Sequence, residues 1–146
     1  MEFLCRFNME KKLNNNEKNL LLQDLCARLP YGVKISVESW DEEEQGFVDK
    51  VDMLYSVNKD EYIKSTNEDY DFSIEDIKPY LLPMSSMTEW QERELKILMK
   101  NSIESCGMLT PYDCLEMERF FNENHIDWRG LIPKGLAIDA TELNIY

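Results

Sequence analysis

The stretch Asn124-His125-Ile126-Asp127-Trp128-Arg129 holds the chain's one histidine beside a carboxylate and a guanidinium. A histidine near acids and an arginine can always be drawn as a general base with an orienter. Proximity in sequence is not geometry, however. At the end of a predicted helix, His125 and Arg129 are better explained by the negative end of the helix dipole and the last free carbonyls. A small enzyme assembled around His125, Asp127 and Arg129 is therefore the competing expectation and not the leading one.

Metal chemistry has weaker support. Asn67, Asp69, Asp71, Ser73 and Glu75 alternate like the first ligands of a calcium loop. Position six is Phe72 where the loop needs glycine, and position twelve is Lys78 where it needs a bidentate glutamate, so an Asx-rich turn is the better reading. The four cysteines, Cys5, Cys26, Cys106 and Cys114, form no CxxC pair, and with one histidine a tetrahedral zinc site would need distant contributors. Cys106 and Cys114 are expected to pack as small apolar residues at a helix-hairpin turn. The chain carries no GxGxxG, GxxxxGK, HExxH, GxSxG or SxxK pattern, and Ser85-Ser86 reads as turn and capping. No catalytic residue, metal ligand or cofactor is assigned.

Charge is the stronger signal. The 146 residues include 16 Lys and Arg against 29 Asp and Glu, a net charge of -13. That balance argues against direct binding to nucleic-acid phosphates or to an anionic membrane surface. The charge is also unevenly spread. Glu38–Asp52 holds seven acidic residues against Lys50, and Asp60–Asp76 holds seven against Lys64, so the two windows supply -12 of the -13. If both flank one small sheet they could form a single acidic surface attracting a basic protein or imitating nucleic acid toward one. The plainer reading is a solvated rim that keeps sheet edges unpaired. Glu42, Glu43, Glu44, Asp69 and Asp71 are the partner-binding candidates within the windows, and Trp128 and Arg129 are the candidates outside them. A tryptophan on an exposed loop would add an anchor, with Trp40, Trp90 and Trp128 available.

These residues need a scaffold, and the periodicities supply one. From Asn15 to Leu29, Leu20, Leu21, Leu22, Leu25, Cys26 and Leu29 recur at helical spacing with Gln23, Asp24 and Arg28 opposite. Val33, Ile35 and Val37 alternate with polar residues, and Val51, Met53, Tyr55 and Val57 alternate with Asp52, Leu54 and Ser56, predicting two half-buried strands. The polar, glycine-ended link Asp41–Gly46 makes them an antiparallel pair, and a strand at Tyr62–Ser65 completes a meander. Phe72–Met87 reads as mixed because Pro79 and Pro83 forbid a long helix. Thr88 with Gln91, and Thr110 followed by Pro111, start two helices that form a hairpin, the first running to about Ser105. Leu95, Leu98, Phe120 and Phe121 are its expected buried residues. Gly130, Pro133 and Gly135 leave room for only a short final strand, Leu136–Asp139. The expected fold is one α+β domain over residues 1–146: an N-terminal helix, a small antiparallel sheet of three to five strands, and a C-terminal helical hairpin. Residues 1–16, with Asn14-Asn15-Asn16, read as a flexible leader. Arg6 and Asn8 interrupt any signal-peptide core, and no apolar run is long enough to span a bilayer, so a cytoplasmic setting is expected.

The segment Ile77–Glu89, IKPYLLPMSSMTE, resembles a group of short uncharacterised proteins from gut Bacteroidota and their phages or prophages. Leu21–Gly32 and Asp127–Ile132, with Gly135-Leu136-Ala137, are similar to the same group, and the three stretches cover roughly a quarter of the chain. Leu82 stands where the group has arginine, and Trp128 where it has another aromatic. The group has no assigned activity, so no functional residue carries over, and the resemblance implies a bacterial or phage cytoplasmic setting. Together with the charge map it sets the leading expectation: a non-enzymatic interaction module of phage or mobile-element origin that binds a basic partner surface.

Overall fold

The computed structural model describes residues 12–146, and the side chains of residues 101, 102 and 104–106 lie outside the description. Helix α1 (Asn15–Arg28) is followed by strands β1 (Lys34–Asp41), β2 (Gly46–Val57), β3 (Tyr62–Ser65), β4 (Phe72–Ser73) and β5 (Lys78–Leu81). Helices α2 (Glu89–Cys106) and α3 (Pro111–Glu123) and strand β6 (Ile138–Asp139) complete the α+β chain. All three helices begin with a capping box, at Asn14/Glu17, Thr88/Gln91 and Thr110/Asp113. Each pairs a side-chain acceptor with otherwise unsatisfied first-turn amides. Asn14 to Asn16 are thus a helix start and not a leader; residues 1–11 of the proposed leader lie outside the described residues. Gly107, in the left-handed region at φ 73°, ends α2.

The sheet has six strands, one more than the largest number expected, in the order β4-β3-β2-β1-β5-β6. All neighbours are antiparallel except β5 and β6. Strands β4 and β5 stand four positions apart yet are joined by only Ile74–Ile77, three of them in a 3₁₀ turn. A flat sheet would separate them by about 19 Å, more than five chain steps of about 3.5 Å can span once a 3₁₀ turn shortens them. The sheet therefore curls. One consequence is a bond from the Tyr70 hydroxyl, on the link between β3 and β4, to the Glu38 carbonyl of β1 at 2.9 Å. Inside the curl lie Val33, Ile35, Val37, Leu54, Ile63, Phe72, Ile74, Ile77 and Leu81, and α1 closes it with Leu21 and Leu25.

Three expectations about packing are corrected. On β2 the buried positions are Asp52 and Leu54, whereas Val51, Met53 and Tyr55 face outward. The pairing Ile35↔Asp52 fixes this phase, and a register shift between Leu54 and Ser56 returns Val57 to the inside. In the helical hairpin Phe121 is buried, but Leu95, Leu98 and Phe120 are only half-buried and Cys114 is exposed. The reason is that α2 packs chiefly on α3, and among the described side chains of the hairpin those buried, Phe121 and Asn122, are on α3. The final strand is two residues, Ile138–Asp139, with Leu136 and Ala137 buried just before it. Among the described residues no helix is long and apolar enough to cross a membrane.

Candidate functional site: an acidic hairpin and a buried charge cluster

Strand β5 pairs with β1 only at Ile35 and Ser36, and β3 pairs with β2 only from Leu54 onward. The rest of β1 and β2 is a two-stranded ribbon. Its four-residue turn, Glu42–Gln45, is organised by the Asp41 carboxylate, which accepts from the Glu43 and Glu44 amides at 2.9 and 3.1 Å. Those two bonds hold the Asp41 carboxyl below its ordinary pKa. With the backbone fixed by Asp41, the side chains of Glu42, Glu43 and Glu44 stand exposed at the tip.

Cross-strand register then builds the outer face one rung at a time. Trp40 opposes Phe47, their rings edge-on at 5.5 Å and 82°, and they are 50% and 44% exposed. Glu38 directly opposes Asp49, and Ser36 opposes Val51. Like charges directly opposite across a sheet repel one another. The face combines two exposed aromatic rings with the Glu38 and Asp49 carboxylates, a composition able to take a cationic group.

The second acidic window joins the first only in part. Asp52 is buried and accepts from the Asn67 amide and side chain at 3.0 and 2.9 Å, which pins the 66–71 segment beneath the ribbon. Tyr70 is bonded to the Glu38 carbonyl, and its chain neighbours Asp69 and Asp71 are exposed. Asp60 instead sits in the turn after the far end of β2, on the order of 40 Å of extended chain from the acidic tip. Glu75 is paired with Lys18 at 2.9 Å, joining α1 to the 3₁₀ turn. The two windows therefore do not make one continuous face; they meet at Tyr70.

Trp128 and Arg129 belong to a different neighbourhood. Asp24 and Arg28, expected on the polar side of α1, are both fully buried. Arg28 Nε donates to both Asp24 oxygens at 3.0 and 2.9 Å, and its Nη2 donates to the Ile126 carbonyl at 2.6 Å. Arg129 Nη1 donates to Asp24 at 2.8 Å, its guanidinium lies 4.0 Å over the Trp128 ring, and Trp128 Nε1 donates to Asn122 at 3.0 Å. The ion pairs and hydrogen bonds offset the desolvation that would otherwise expel these charges. Burial still pushes the Arg28 guanidinium below its ordinary pKa, with Asp24 opposing the shift.

The three residues of the enzymatic alternative face three separate tasks. The Asp127 carboxylate accepts from the Leu131 and Ile132 amides at 2.8 and 2.9 Å, closing the turn after α3. Arg129 is engaged with Asp24, as above. His125, in the left-handed region at φ 60°, stacks on Tyr146 with ring centroids 3.8 Å apart. Burial, then Arg28 and Lys34, lowers its pKa to about 4, so it is neutral near pH 7 and contributes no cation to the end of α3. Tyr146 in turn accepts from the Lys34 amide and donates to the Tyr80 carbonyl, both at 2.8 Å, bridging β1 and β5.

The sequence puts Glu38 and Asp49 inside the first acidic window and offers Trp40 as an anchor, but does not set Phe47 beside Trp40 or Glu38 opposite Asp49. The signal was available: period-two alternation opposite Ile35 and Val37 puts Glu38 and Trp40 outward, and a short turn after Asp41 brings Phe47 and Asp49 across from them. Among the described residues no group of three or more histidine, cysteine, aspartate and glutamate side chains is arranged to hold a metal ion. Compared with family models, curated proteins and solved structures, the chain matches none.

Proposed function

We propose that this protein is a non-enzymatic interaction module of phage or mobile-element origin, and that it binds a basic protein surface through the outer face of the β1–β2 ribbon. The observation that carries this reading is the half-exposed Trp40–Phe47 pair next to the opposed carboxylates of Glu38 and Asp49, below a tip of three exposed glutamates. An aromatic platform supplies desolvated contact area, and the carboxylates steer and orient a lysine or arginine onto it. Asp69 and Asp71 extend the field on the Tyr70 side. In this reading Trp128 and Arg129, both committed to internal partners, maintain the fold. The mode of attack on the partner is occupation of a basic surface, including one that would otherwise take nucleic acid.

An oligoarginine peptide titrated into the isotopically labelled chain tests this. Saturable shifts should be largest at the Trp40 indole N–H and the Glu38 and Asp49 amides, and should weaken as salt rises. Small, unsaturable shifts spread equally over Asp60, Asp76 and Asp139 would mean the ribbon is no more than a part of a generally acidic surface.

A further inference from the structure

The ladder between β1 and β5 stops one rung short of the start of β1. Its antiparallel register, Ser36↔Lys78 and Ile35↔Pro79, would next set Lys34 against Tyr80. At that rung the Tyr146 hydroxyl stands between the strands, accepting from the Lys34 amide and donating to the Tyr80 carbonyl, both at 2.8 Å. A phenol, donor and acceptor in one group, thus replaces a direct backbone bond. The Lys34 ammonium donates to the Ile145 carbonyl and lies 5.5 Å from the centroid of the Tyr146 ring, and His125 stacks on that ring at 3.8 Å and 12°. Among the described residues, these are the hydrogen bonds and ring contacts that tie residues 142–146 to the body of the domain, and Tyr146 is still 43% exposed. The segment is a strap fastened at one point.

Of these fastenings, His125 is the one that charge can undo. The charged groups that face its ring are both cations, Arg28 from α1 and Lys34 from β1. The carboxylates of this neighbourhood are committed elsewhere, Asp24 to Arg28 and Arg129, and Asp127 to the Leu131 and Ile132 amides. From β5 comes the Tyr80 carbonyl, which the Tyr146 hydroxyl already occupies. His125 Nδ1 is buried and, among the described residues, has no hydrogen-bond partner. A proton on this ring therefore adds a third positive charge to two, in a place that offers Nδ1 no acceptor. Lifting the Tyr146 ring off its face gives the imidazolium water. We infer that residues 142–146 are an acid-released strap, in which protonation of His125 detaches Tyr146 and opens the rung between Lys34 and Tyr80. The direction of the His125 pKa, lowered to about 4 by burial, then by Arg28 and Lys34, agrees with this geometry, because the closed strap favours the neutral ring.

An NMR titration of the labelled full chain from about pH 7 to about pH 3.5 is the test, a range that spans the ordinary His value of about 6.5 and the lowered one. The Tyr146 ring and the Lys34 amide report the strap, and the methyl groups of Ile63, wholly buried on β3, report the core. The expected result is that the Tyr146 and Lys34 resonances move in one step with the His125 ring, toward the values of a free tyrosine and an unbonded amide, while the Ile63 methyls stay in place. The ratio of open to closed strap should rise by up to about tenfold per pH unit across the window. H125N, chosen because asparagine tolerates the left-handed backbone at φ 60°, should remove that step. At pH 7, Y146F should speed exchange of the Lys34 amide several-fold by removing its acceptor. Tyr146 and Lys34 resonances that stay still while His125 titrates overturn the proposal. A step that persists in H125N overturns it too, since carboxylates would then drive the change. So does a step in which the Ile63 methyls move together with Tyr146, because the whole domain would then be unfolding.

Discussion

Asp24 and Glu43 are both carboxylates on surfaces a sequence would call polar, yet their surroundings differ completely. Asp24 is wholly buried between two guanidiniums, and Glu43 stands in solvent at the tip of a ribbon. A buried charge survives only where the chain supplies partners for it, so the cluster of Asp24, Arg28 and Arg129 is part of the fold. The exposed glutamates of the tip are not buried in this way, while Glu38 and Asp49 are set directly opposite one another across the ribbon. On the proposed reading, that exposed, like-charged face is kept for a partner.

The largest expected effect lies on the buried side of that contrast. Asp24→Ala should destabilise the chain by about 3–5 kcal/mol in denaturant unfolding, because Arg28 would remain buried without its counter-ion. A loss below about 1 kcal/mol would mean the pair is relieved by water or by Asp127 and would break the contrast. Asp127→Ala should cost about 1–3 kcal/mol, since two turn amides lose their acceptor. Recovery by Asn, which offers one carbonyl oxygen, should be partial.

How much of this could be read from the chain beforehand depends on how local each cause is. The Thr88–Gln91 capping box, the Thr110-Pro111 start and the strand at Tyr62–Ser65 follow from residues within a few positions of one another and are legible, whereas the Asn14–Glu17 box hides in a run of asparagines that reads as a leader. The burial of Asp24 and Arg28 was not legible, because their partners at Ile126 and Arg129 lie about a hundred residues away and no pattern within α1 announces them. The phase of β2 misled for the same reason. Asp52 reads as a solvent residue until Asn67 arrives beneath it, and Val51, Met53 and Tyr55 read as core until register sends them outward. Of the site, the glutamates of the tip were legible from composition, while the aromatic pair beside them needed the hairpin register.

The remaining predictions sharpen the exposed side. His125 has a folded pKa near 4, below its unfolded value of about 6.5. As pH falls through 6.5 the unfolded chain takes up a proton first, so this part of the stability is complete above about 6.5 and is lost progressively toward 4. Replacing His125 by Gln should flatten the stability profile in that window by up to about 1 kcal/mol per pH unit, and an unchanged slope would show that the ring is not held neutral by its surroundings. The smallest effect is expected at the tip, where E42Q, E43Q and E44Q together should change stability by less than about 0.5 kcal/mol, with any gain largest at low salt. A large loss would give these carboxylates a structural role and bring the two regions together.

The central claim, that the ribbon charges serve encounter with a cationic partner and not the fold, is tested most directly by stopped-flow association of the oligoarginine peptide, followed across salt for the wild-type chain and for E43Q/E44Q/D69N/D71N. With a Debye length of about 10 Å at 0.1 M salt and about 3 Å at 1 M, the wild-type association rate should fall steeply. The four-amide chain should associate more slowly at low salt and converge with the wild type at high salt, its dissociation rate changing less than its association rate. Equal association rates for the two chains at every salt concentration would contradict the claim.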